Sequence, residues 1–214
     1  LDPRLLATVA PAVAKAAIES GVAKAPIQDW DRYVQELNKR LGLDNQVMRA
    51  IGGKARSNPK RIVFSEADNP KVLKAAQIVF DEGIGFPILL GDENKIKKIA
   101  EENAVDIEGL PIFDPRSDAS EEKRNLYADK FLAKMGRRGF NAYEAKKIMK
   151  DRNHYGCMMV ECGDADAMIS GLTKNYPDTI RPAIQIIGME EGVSKIAGMY
   201  MMLTKRGPLF FADK

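Results

Sequence analysis

Arg61-Ile-Val-Phe-Ser65 begins the stretch that decides the fold of this 214-residue chain. This β-branched run is followed by Asp68-Asn-Pro70, which supplies helix-capping residues and a helix-start proline. Val72 to Phe80 then carries an apolar stripe at helical spacing, and Gly83 ends the predicted helix. Pro87-Ile-Leu-Leu90 forms a second buried strand. A strand, a helix and a second strand in this order predict a parallel βαβ unit.

The same alternation continues downstream. Helices are predicted at Glu93 to Asn103, Ser120 to Met135, Ala142 to about Val160 and Asp178 to Ile187. Strands are predicted at Leu110 to Phe113, Ala167 to Ser170, Ser194 to Leu203 and Leu209 to Ala212. Pro111 favours an edge position for the first of these strands. The predicted fold class is therefore α/β, with a mainly parallel sheet wrapped by helices from Arg61 to about Met168 and the start of a second α/β lobe after it.

Two helices are predicted ahead of this sheet, between Asp2 and Leu41. In the first, Val9 and Val13 recur at helical spacing, Pro11 fits a first helical turn, and Gly21 is a C-cap candidate. The second begins at Asp29 and places apolar side chains on one side: Trp30, Tyr33, Val34 and Leu37. Two such stripes cannot be buried by each other alone. We expect these helices to pack on the rest of the chain or on another domain.

Residues 42–60 are predicted to be a junction between the helices and the sheet. The segment contains Gly42, Gly52, Gly53 and Pro59, and its four Lys and Arg side chains oppose a single acid, Asp44. The favoured interpretation is a solvated linker. The alternative is a basic loop that binds phosphate.

Composition excludes several classes of protein. The chain is 45% apolar and 29% charged, which excludes a disordered or fibrous protein, and 33 basic against 30 acidic residues give a net charge of +3. That small excess predicts neither a nucleic-acid partner nor a membrane partner. Two cysteines exclude a disulfide scaffold and indicate a reducing, cytoplasmic location. The first residue is Leu1, so we expect a piece of a longer protein.

Three motifs resemble chemical sites only weakly. Gly83-Ile-Gly85 follows a helix and precedes a strand, the reverse of the order in a dinucleotide-binding loop, which favours a helix cap and turn. Cys157 has one imidazole within helical reach, His154, but a buried small side chain is the favoured interpretation over a nucleophile. Met199 to Met202 is predicted to fill the core.

The strongest candidate site follows the strand that ends at Ser170. Loops at the carboxyl ends of parallel strands bind ligands in α/β folds, and a helix N-terminus favours an anion. The predicted ligand-binding residues of this segment are Thr173, Lys174, Asn175, Tyr176 and Arg181. An ordinary strand-to-helix loop is the alternative.

Arg137 and Arg138 form a second candidate, framed by Gly136 and Gly139. Two guanidinium groups on a glycine-framed turn suit a phosphate or a carboxylate, because each planar group donates two hydrogen bonds at once. A solvated helix end, whose cations offset the helix dipole, is an equally weighted alternative.

From about Lys60 to Lys214 the chain resembles the phosphotransacetylase family. The resemblance rests on five segments, in order: Arg61-Ile-Val-Phe-Ser-Glu-Ala-Asp68, Tyr155-Gly-Cys-Met-Met-Val160, Ala165-Asp-Ala-Met-Ile-Ser-Gly171, Asp178-Thr-Ile-Arg-Pro-Ala-Ile-Gln-Ile-Ile187 and Gly207-Pro-Leu-Phe-Phe-Ala-Asp213. It implies a two-domain α/β fold and acetyl transfer between phosphate and coenzyme A. It also implies that Arg181 matches a substrate-binding arginine, and that Arg137 or Arg138 matches another.

The opening, Asp2 to Ala23, is similar to the end of the nucleotide-binding domain of bacterial malic enzymes. The two resemblances in tandem look like the hybrid malic enzymes, which implies three parts: helices of the malic domain (1–41), a linker (42–60) and an incomplete phosphotransacetylase-like domain (61–214). The resemblance implies a parent protein that uses NADP and a divalent metal, Mg or Mn. The residues for those cofactors are not in this chain, so none is expected here. A homo-oligomer and contact with the upstream malic enzyme domain are implied as well.

One departure changes the expected function. Active phosphotransacetylases usually carry a His/Ser/Thr-rich loop where this chain has Leu172-Thr-Lys-Asn-Tyr-Pro177, and their catalytic serine and its aspartate partner match positions beyond Lys214. No catalytic residue is therefore assigned to this chain. The resemblance implies a module that senses acetyl-CoA and regulates malate oxidation. An active acetyltransferase and an oligomerisation module are the alternatives.

Overall fold

Strands and helices alternate through the middle of the chain, as the sequence predicts. The computed structural model describes residues 4–40, 46–204 and 207–212. Its helices are α1 Arg4–Glu19, α2 Trp30–Arg40, α3 Gln46–Ser57, α4 Pro70–Asp81, α5 Glu93–Glu102, α6 Glu121–Met135, α7 Ala142–Ile148, α8 Arg152–Glu161 and α9 Tyr176–Ile186. Its strands are β1 Lys60–Phe64, β2 Gly85–Leu90, β3 Ile112–Phe113, β4 Ala167–Ile169, β5 Met199–Thr204 and β6 Gly207–Ala212. None of these helices combines the length and the hydropathy that a membrane span needs.

The first four strands form one parallel sheet in the order β3-β2-β1-β4. Val63 in β1 pairs with Ile88 on one side and with Met168 on the other. The short β3 lies at the edge, which confirms the position that Pro111 predicts. Because the chain adds β2 and β3 on one side of β1 and β4 on the other, the order of the strands reverses between β1 and β4.

Helices cover both faces of this sheet, and alternation along the strands explains why. Val63 and Leu90 belong to one buried cluster, while their neighbours Phe64 and Leu89 belong to another. Successive strand residues point to opposite faces, so a run that is apolar throughout needs a layer on each side. The largest members of the first cluster on the helices are Tyr127, Phe131, Tyr155 and Met158, and Met149 joins them from the end of α7. Those of the second are Leu73 and Ile96.

The long helix predicted from Ala142 to about Val160 is wrong, because Asp151 divides it into α7 and α8. Its carboxylate accepts hydrogen bonds from the backbone N–H groups of Asn153 (3.0 Å) and His154 (3.1 Å). This N-cap satisfies amide donors that would otherwise have no partner at the start of α8. The break places Asp151 and His154 at a helix start.

The start of α9 also differs from the prediction. Asn175 is its N-cap, and its side-chain oxygen accepts a hydrogen bond from the Asp178 N–H at 3.0 Å. The helix therefore begins at Tyr176 rather than at Asp178. Arg181 consequently lies in the second helical turn and not in the first.

Gly156 allows α8 to approach the sheet closely. A Cβ at this position would lie 2.5 Å from the Met168 sulfur and 3.2 Å from a Val63 methyl group. Only a residue without a side chain fits at that separation. The start of α8 is thereby held next to the ends of β1 and β4.

The two N-terminal helices are confirmed, but Pro11 does not lie in a first turn. Helix α1 begins at Arg4, and Pro11 is inside it. The helix starts early because Leu5 continues the spacing of Val9 and Val13. All three are about half exposed, whereas Leu37 of α2 is buried. The first stripe is therefore uncovered among the described residues, and the expectation that it packs on another domain stays a prediction.

The predicted junction contains a helix. Residues 46–57 form α3, with Gly53 inside it, and residues 42–45 lie outside the described ranges. Lys54 and Arg56 are in its last turn, where cations offset the helix dipole. The basic side chains thus have a structural explanation that a linker interpretation lacks.

Strands β5 and β6 form an antiparallel hairpin, not part of a further α/β layer. The predicted strand from Ser194 starts only at Met199. The prediction that Met199 to Met202 fills the core is wrong, since all four side chains are exposed. Pairing of two strands covers their edges but neither face. By packing, the chain divides into one unit of Leu1–Gly53 with Met199–Asp213 and another of Lys54–Gly198.

Candidate ligand-binding cleft

The loops that follow β1 and β4 meet at the carboxyl edge of the sheet. The backbone N–H of Ser65 donates to the carbonyl of Ile169 at 3.2 Å, so the two loops leave the sheet side by side. The order of the strands reverses at this point, and α/β sheets bind ligands in the crevice outside such a reversal.

A cleft of about 310 Å³ lies beside these loops. It is lined by Asp151, His154, Lys174, Asp178, Arg181 and Pro182. Lys174 comes from the loop after β4, and Arg181 comes from α9. The structure therefore brings together these two predicted residues, and it adds a carboxylate and an imidazole from the start of α8.

Asp151 is the centre of hydrogen bonding in the cleft. Besides the two backbone amides of its helix cap, it contacts His154 Nδ1 at 2.9 Å and Lys174 Nζ at 3.0 Å. Partial burial alone would raise the pKa of this carboxyl, but the hydrogen bonds from His154 and Lys174 outweigh burial and hold the pKa well below its usual range. Asp151 is therefore ionised, and it neutralises Lys174.

Arg181 is the cation of the cleft that no acid neutralises. Within the part of the chain that the structure describes, no carboxylate lies within 4.0 Å of the Arg181 guanidinium nitrogens. Arg181 itself is exposed. Asp178 lines the same cleft without forming an ion pair with it. A free guanidinium donates paired hydrogen bonds to phosphate or carboxylate oxygens. Arg181 is thus the group best placed to bind an anion.

Glu66 connects the two loops, and it was not among the predicted site residues. This carboxylate accepts hydrogen bonds from the consecutive backbone N–H groups of Gly171 (3.0 Å), Leu172 (2.7 Å) and Thr173 (3.0 Å) and from the Thr173 hydroxyl (2.5 Å). Burial opposes the ionised form, but these hydrogen bonds outweigh it and lower the pKa of Glu66. The sequence contains one signal that could have identified Glu66: it is an acid directly after a predicted buried strand.

Asn153 links α8 to both the sheet and α9. It is fully buried; its side-chain oxygen accepts from the Ser170 hydroxyl at 2.9 Å, and its amide nitrogen donates to the Asp178 carbonyl at 3.4 Å. A buried side-chain amide is stable only when such partners are present. Asn153 therefore holds together the three elements that line the cleft.

Asp68 and Arg152 form a further ion pair at this edge. Arg152 donates two hydrogen bonds to Asp68, at 2.7 and 3.2 Å, and Lys95 adds a third at 2.9 Å. The pKa of Asp68 is lowered to about 2, and the hydrogen bond from Arg152 is the main cause. The pair joins the loop after β1 to the start of α8.

Comparison with known proteins agrees with this arrangement. The sequence pattern of the phosphate acetyl/butaryl transferase family matches residues 46–214. The chain belongs to this family. The EutD phosphotransacetylase from Staphylococcus aureus superposes with a TM-score of 0.68 at 27% identity, over 77% of this chain and 48% of that one. The predicted fold class and family are thereby confirmed.

Two relatives are longer than this chain, which matches only part of each. An NADP-dependent malic enzyme from Escherichia coli is 34% identical over 99% of this chain, and a phosphate acetyltransferase from Thermoanaerobacterium thermosaccharolyticum is 36% identical over 78% of it. The chain spans 28% of the length of the malic enzyme and 51% of that of the acetyltransferase.

Not all the predicted site residues of this family member line the cleft. Asn175 caps α9. Tyr176 is 68% exposed and is not among the residues that line the cleft. Arg137 and Arg138 are exposed on a 3-10 turn that ends at Gly139, and neither lines the cleft. The predicted residues therefore do not form one cluster.

The weaker motifs have structural roles in this phosphotransacetylase-like fold. Cys157 is buried, burial raises the pKa of its thiol to about 12, and His154 contacts Asp151 instead, so the non-nucleophilic interpretation is confirmed. Gly83, with φ of 64°, ends α4, as predicted. Among the described residues, no three His, Cys, Asp or Glu side chains are grouped as metal ligands.

Proposed function

We propose that this chain is the phosphotransacetylase-like module of a malic enzyme and that it senses acetyl-CoA. The observation that carries the proposal is Arg181, which has no acid partner among the described residues and lines the same cleft as Lys174 at the strand reversal. The malic enzyme match supports the parent: it includes nearly the whole chain, whereas the family pattern starts at residue 46. The N-terminal helices are thus shared with malic enzymes.

The chemistry of the cleft suits the phosphates of acetyl-CoA. Arg181 offers a fork of N–H donors, and Lys174 offers an ammonium that can turn from Asp151 towards a ligand. Hydrogen bonds to charged groups of this kind contribute roughly 1.5–3 kcal/mol each. Lys174 gives less, because its ion pair with Asp151 must first be broken.

In this proposal the module regulates and the upstream domain oxidises malate. NADP and a divalent metal, Mg or Mn, belong to that domain. We place the parent protein in the cytoplasm as a homo-oligomer, and Arg137, Arg138, Thr173, Asn175 and Tyr176 remain proposed ligand contacts of lower weight than Lys174 and Arg181.

The test is a malate-oxidation assay of the full-length protein, titrated with acetyl-CoA. Arg181→Ala should relieve inhibition by acetyl-CoA and leave uninhibited turnover nearly unchanged, and Lys174→Ala should do so to a smaller degree. Arg116→Ala is the matched control, because it removes an exposed arginine that lies outside the cleft and is not a proposed ligand contact. Inhibition that is equal in wild type and Arg181→Ala would place the effector elsewhere.

An active phosphate acetyltransferase is the second candidate, favoured by the acetyltransferase relative at 36% identity. It requires the full-length protein to form acetyl phosphate from acetyl-CoA and phosphate. Measured turnover would replace the sensing proposal. An oligomerisation module without a ligand is expected to show no rise in melting temperature with acetyl-CoA.

A further inference from the structure

We propose that Glu66 is the positioning residue of the cleft: its carboxylate holds the loop after β4 in the conformation that presents Lys174. Glu66 lies on the loop after β1 and has no place in the lining of the cleft. It acts through the loop that it binds. Only the predicted effect on ligand affinity rests on the proposed function.

The geometry of the contact carries this inference. Three consecutive backbone N–H groups, from Gly171 to Thr173, converge on one carboxylate together with the Thr173 hydroxyl. Such a concave set of amides is a typical anion-binding nest. Here an internal anion fills it, and Glu66 is only 6% exposed.

Few other interactions stabilise residues 171–173 in this conformation. Gly171 has a left-handed φ of 106°, and residues 171–173 are exposed. Fixing the backbone of a residue in one conformation costs conformational entropy. The hydrogen bonds to Glu66 offset this cost.

Lys174 follows Thr173 directly, so the same contact sets the position of the lysine. Its ammonium lies 3.0 Å from the Asp151 carboxylate. Release of the loop would loosen this ion pair and expose the side chain, which is 34% exposed in the structure. The Thr173 hydroxyl and backbone N–H are both held by Glu66, directly before the lysine.

The test compares three full-length proteins: wild type, Glu66→Gln and Asp166→Asn. Glutamine keeps the size of Glu66 but replaces an acceptor oxygen by an NH₂ donor that faces the loop amides. Asp166→Asn is the matched carboxylate-to-amide change at the other edge of the sheet, where Asp166 binds Arg61. Hydrogen exchange of residues 171–173 and acetylation of Lys174 by an amine-reactive ester are measured by mass spectrometry, with exposed Lys97 as the internal reference.

In Glu66→Gln we expect the amides of 171–173 to exchange about tenfold faster and Lys174 to be acetylated several-fold faster, while β1 and β2 keep their protection. If the competent loop is then populated in about one molecule in ten, acetyl-CoA affinity falls about tenfold. Asp166→Asn should change none of these readouts. Thr173→Ala, which removes one of the four hydrogen bonds, should give an intermediate increase.

Two results would overturn the inference. One is unchanged exchange at 171–173 in both Glu66→Gln and Thr173→Ala. The other is exchange that rises equally in β1 and β2, which would show that Glu66 supports the whole fold. If wild type does not bind acetyl-CoA, the proposed function fails, and exchange and acetylation still decide the role of Glu66.

Discussion

The two ends of the parallel sheet both carry dense polar networks, but only one of them is closed. At the amino end, Arg61 binds the Asp166 carboxylate and the carbonyl groups of Gly163 and Asp164. Asp164 in turn accepts hydrogen bonds from Tyr127 and forms an ion pair with Lys123 at 3.0 Å. These groups pair with one another, which ties the loop before β4 to β1 and α6.

At the carboxyl end the same kinds of residue leave one cation, Arg181, and one acid, Asp178, outside the ion pairs of the described residues. Asp151 and Lys174 neutralise each other, and Asp68 is neutralised by Arg152, but Arg181 faces the cleft without an acid partner among the described residues. Charge density alone therefore does not locate a binding site. A closed network holds the fold, and a cation left without a partner next to a cleft can bind a ligand.

The largest expected effect comes from removing that cation. Arg181→Ala should weaken acetyl-CoA binding about ten- to a hundredfold, because one charged hydrogen-bonding group of roughly 1.5–3 kcal/mol is lost and 1.4 kcal/mol corresponds to tenfold. Isothermal titration calorimetry measures this change. Lys123→Ala removes a cation from the closed end and should leave the affinity as it is; an equal loss in both variants would mean that the two ends do not differ in function.

The framework behind the cleft should contribute next. Asn153→Ala removes a fully buried side chain and its two hydrogen bonds, with the Ser170 hydroxyl and the Asp178 carbonyl, which costs about 1–3 kcal/mol in the free energy of unfolding at about 0.5–1.5 kcal/mol per bond. Urea denaturation measures it. Asn94→Ala, at an exposed position of α5 where the described residues show no side-chain hydrogen bond, is the control and should stay within about 0.5 kcal/mol of wild type. A loss at Asn153 no larger than at Asn94 would contradict the bridging role.

The closed end should affect stability without affecting the ligand. Tyr127→Phe removes the hydroxyl that donates to Asp164 and should lower the free energy of unfolding by about 1 kcal/mol. Acetyl-CoA affinity should remain unchanged, because Tyr127 contributes to the network at the amino end. A tenfold change in affinity would break the distinction between the two ends.

The smallest expected effect is on stability at acidic pH, through the Asp68 ion pair. The pKa of Asp68 is lowered to about 2 from an ordinary value of 3.8, so its ion pair contributes full stability above about pH 4 and loses it as pH falls towards 2. Asp68→Asn should therefore flatten the pH dependence of the melting temperature between pH 4 and pH 2. An unchanged slope across that interval would show that this ion pair does not contribute to stability in acid.

Most of the sheet could be predicted because local signals agree there. The cap at Asn69, the helix start at Pro70 and the end at Gly83 are each visible in the sequence, and the structure confirms them. The break at Asp151 was missed because Ala142 to Val160 reads as one apolar pattern, while capping depends on a side-chain geometry that spacing does not show. The exposed Met199 to Met202 was missed because apolar composition does not say whether a second layer covers a strand.

The candidate site was predicted only in part, for a different reason. Lys174 and Arg181 could be found since a polar loop between a strand and a helix is a local pattern. Asp151, His154 and Glu66 could not, because each reaches the cleft or its loop through tertiary structure: Glu66 is 105 residues from Gly171 in sequence. Neighbouring strand ends that are distant in the chain meet only once the strand order is known.

The most direct test of the central claim is a hydrogen-exchange footprint of acetyl-CoA on the wild-type full-length protein. The account predicts added protection at residues 170–181, at the carboxyl end of the sheet, with no change at residues 163–166, at the amino end. Protection at 163–166 with none at 170–181, or no protection at either end at saturating acetyl-CoA, would contradict it.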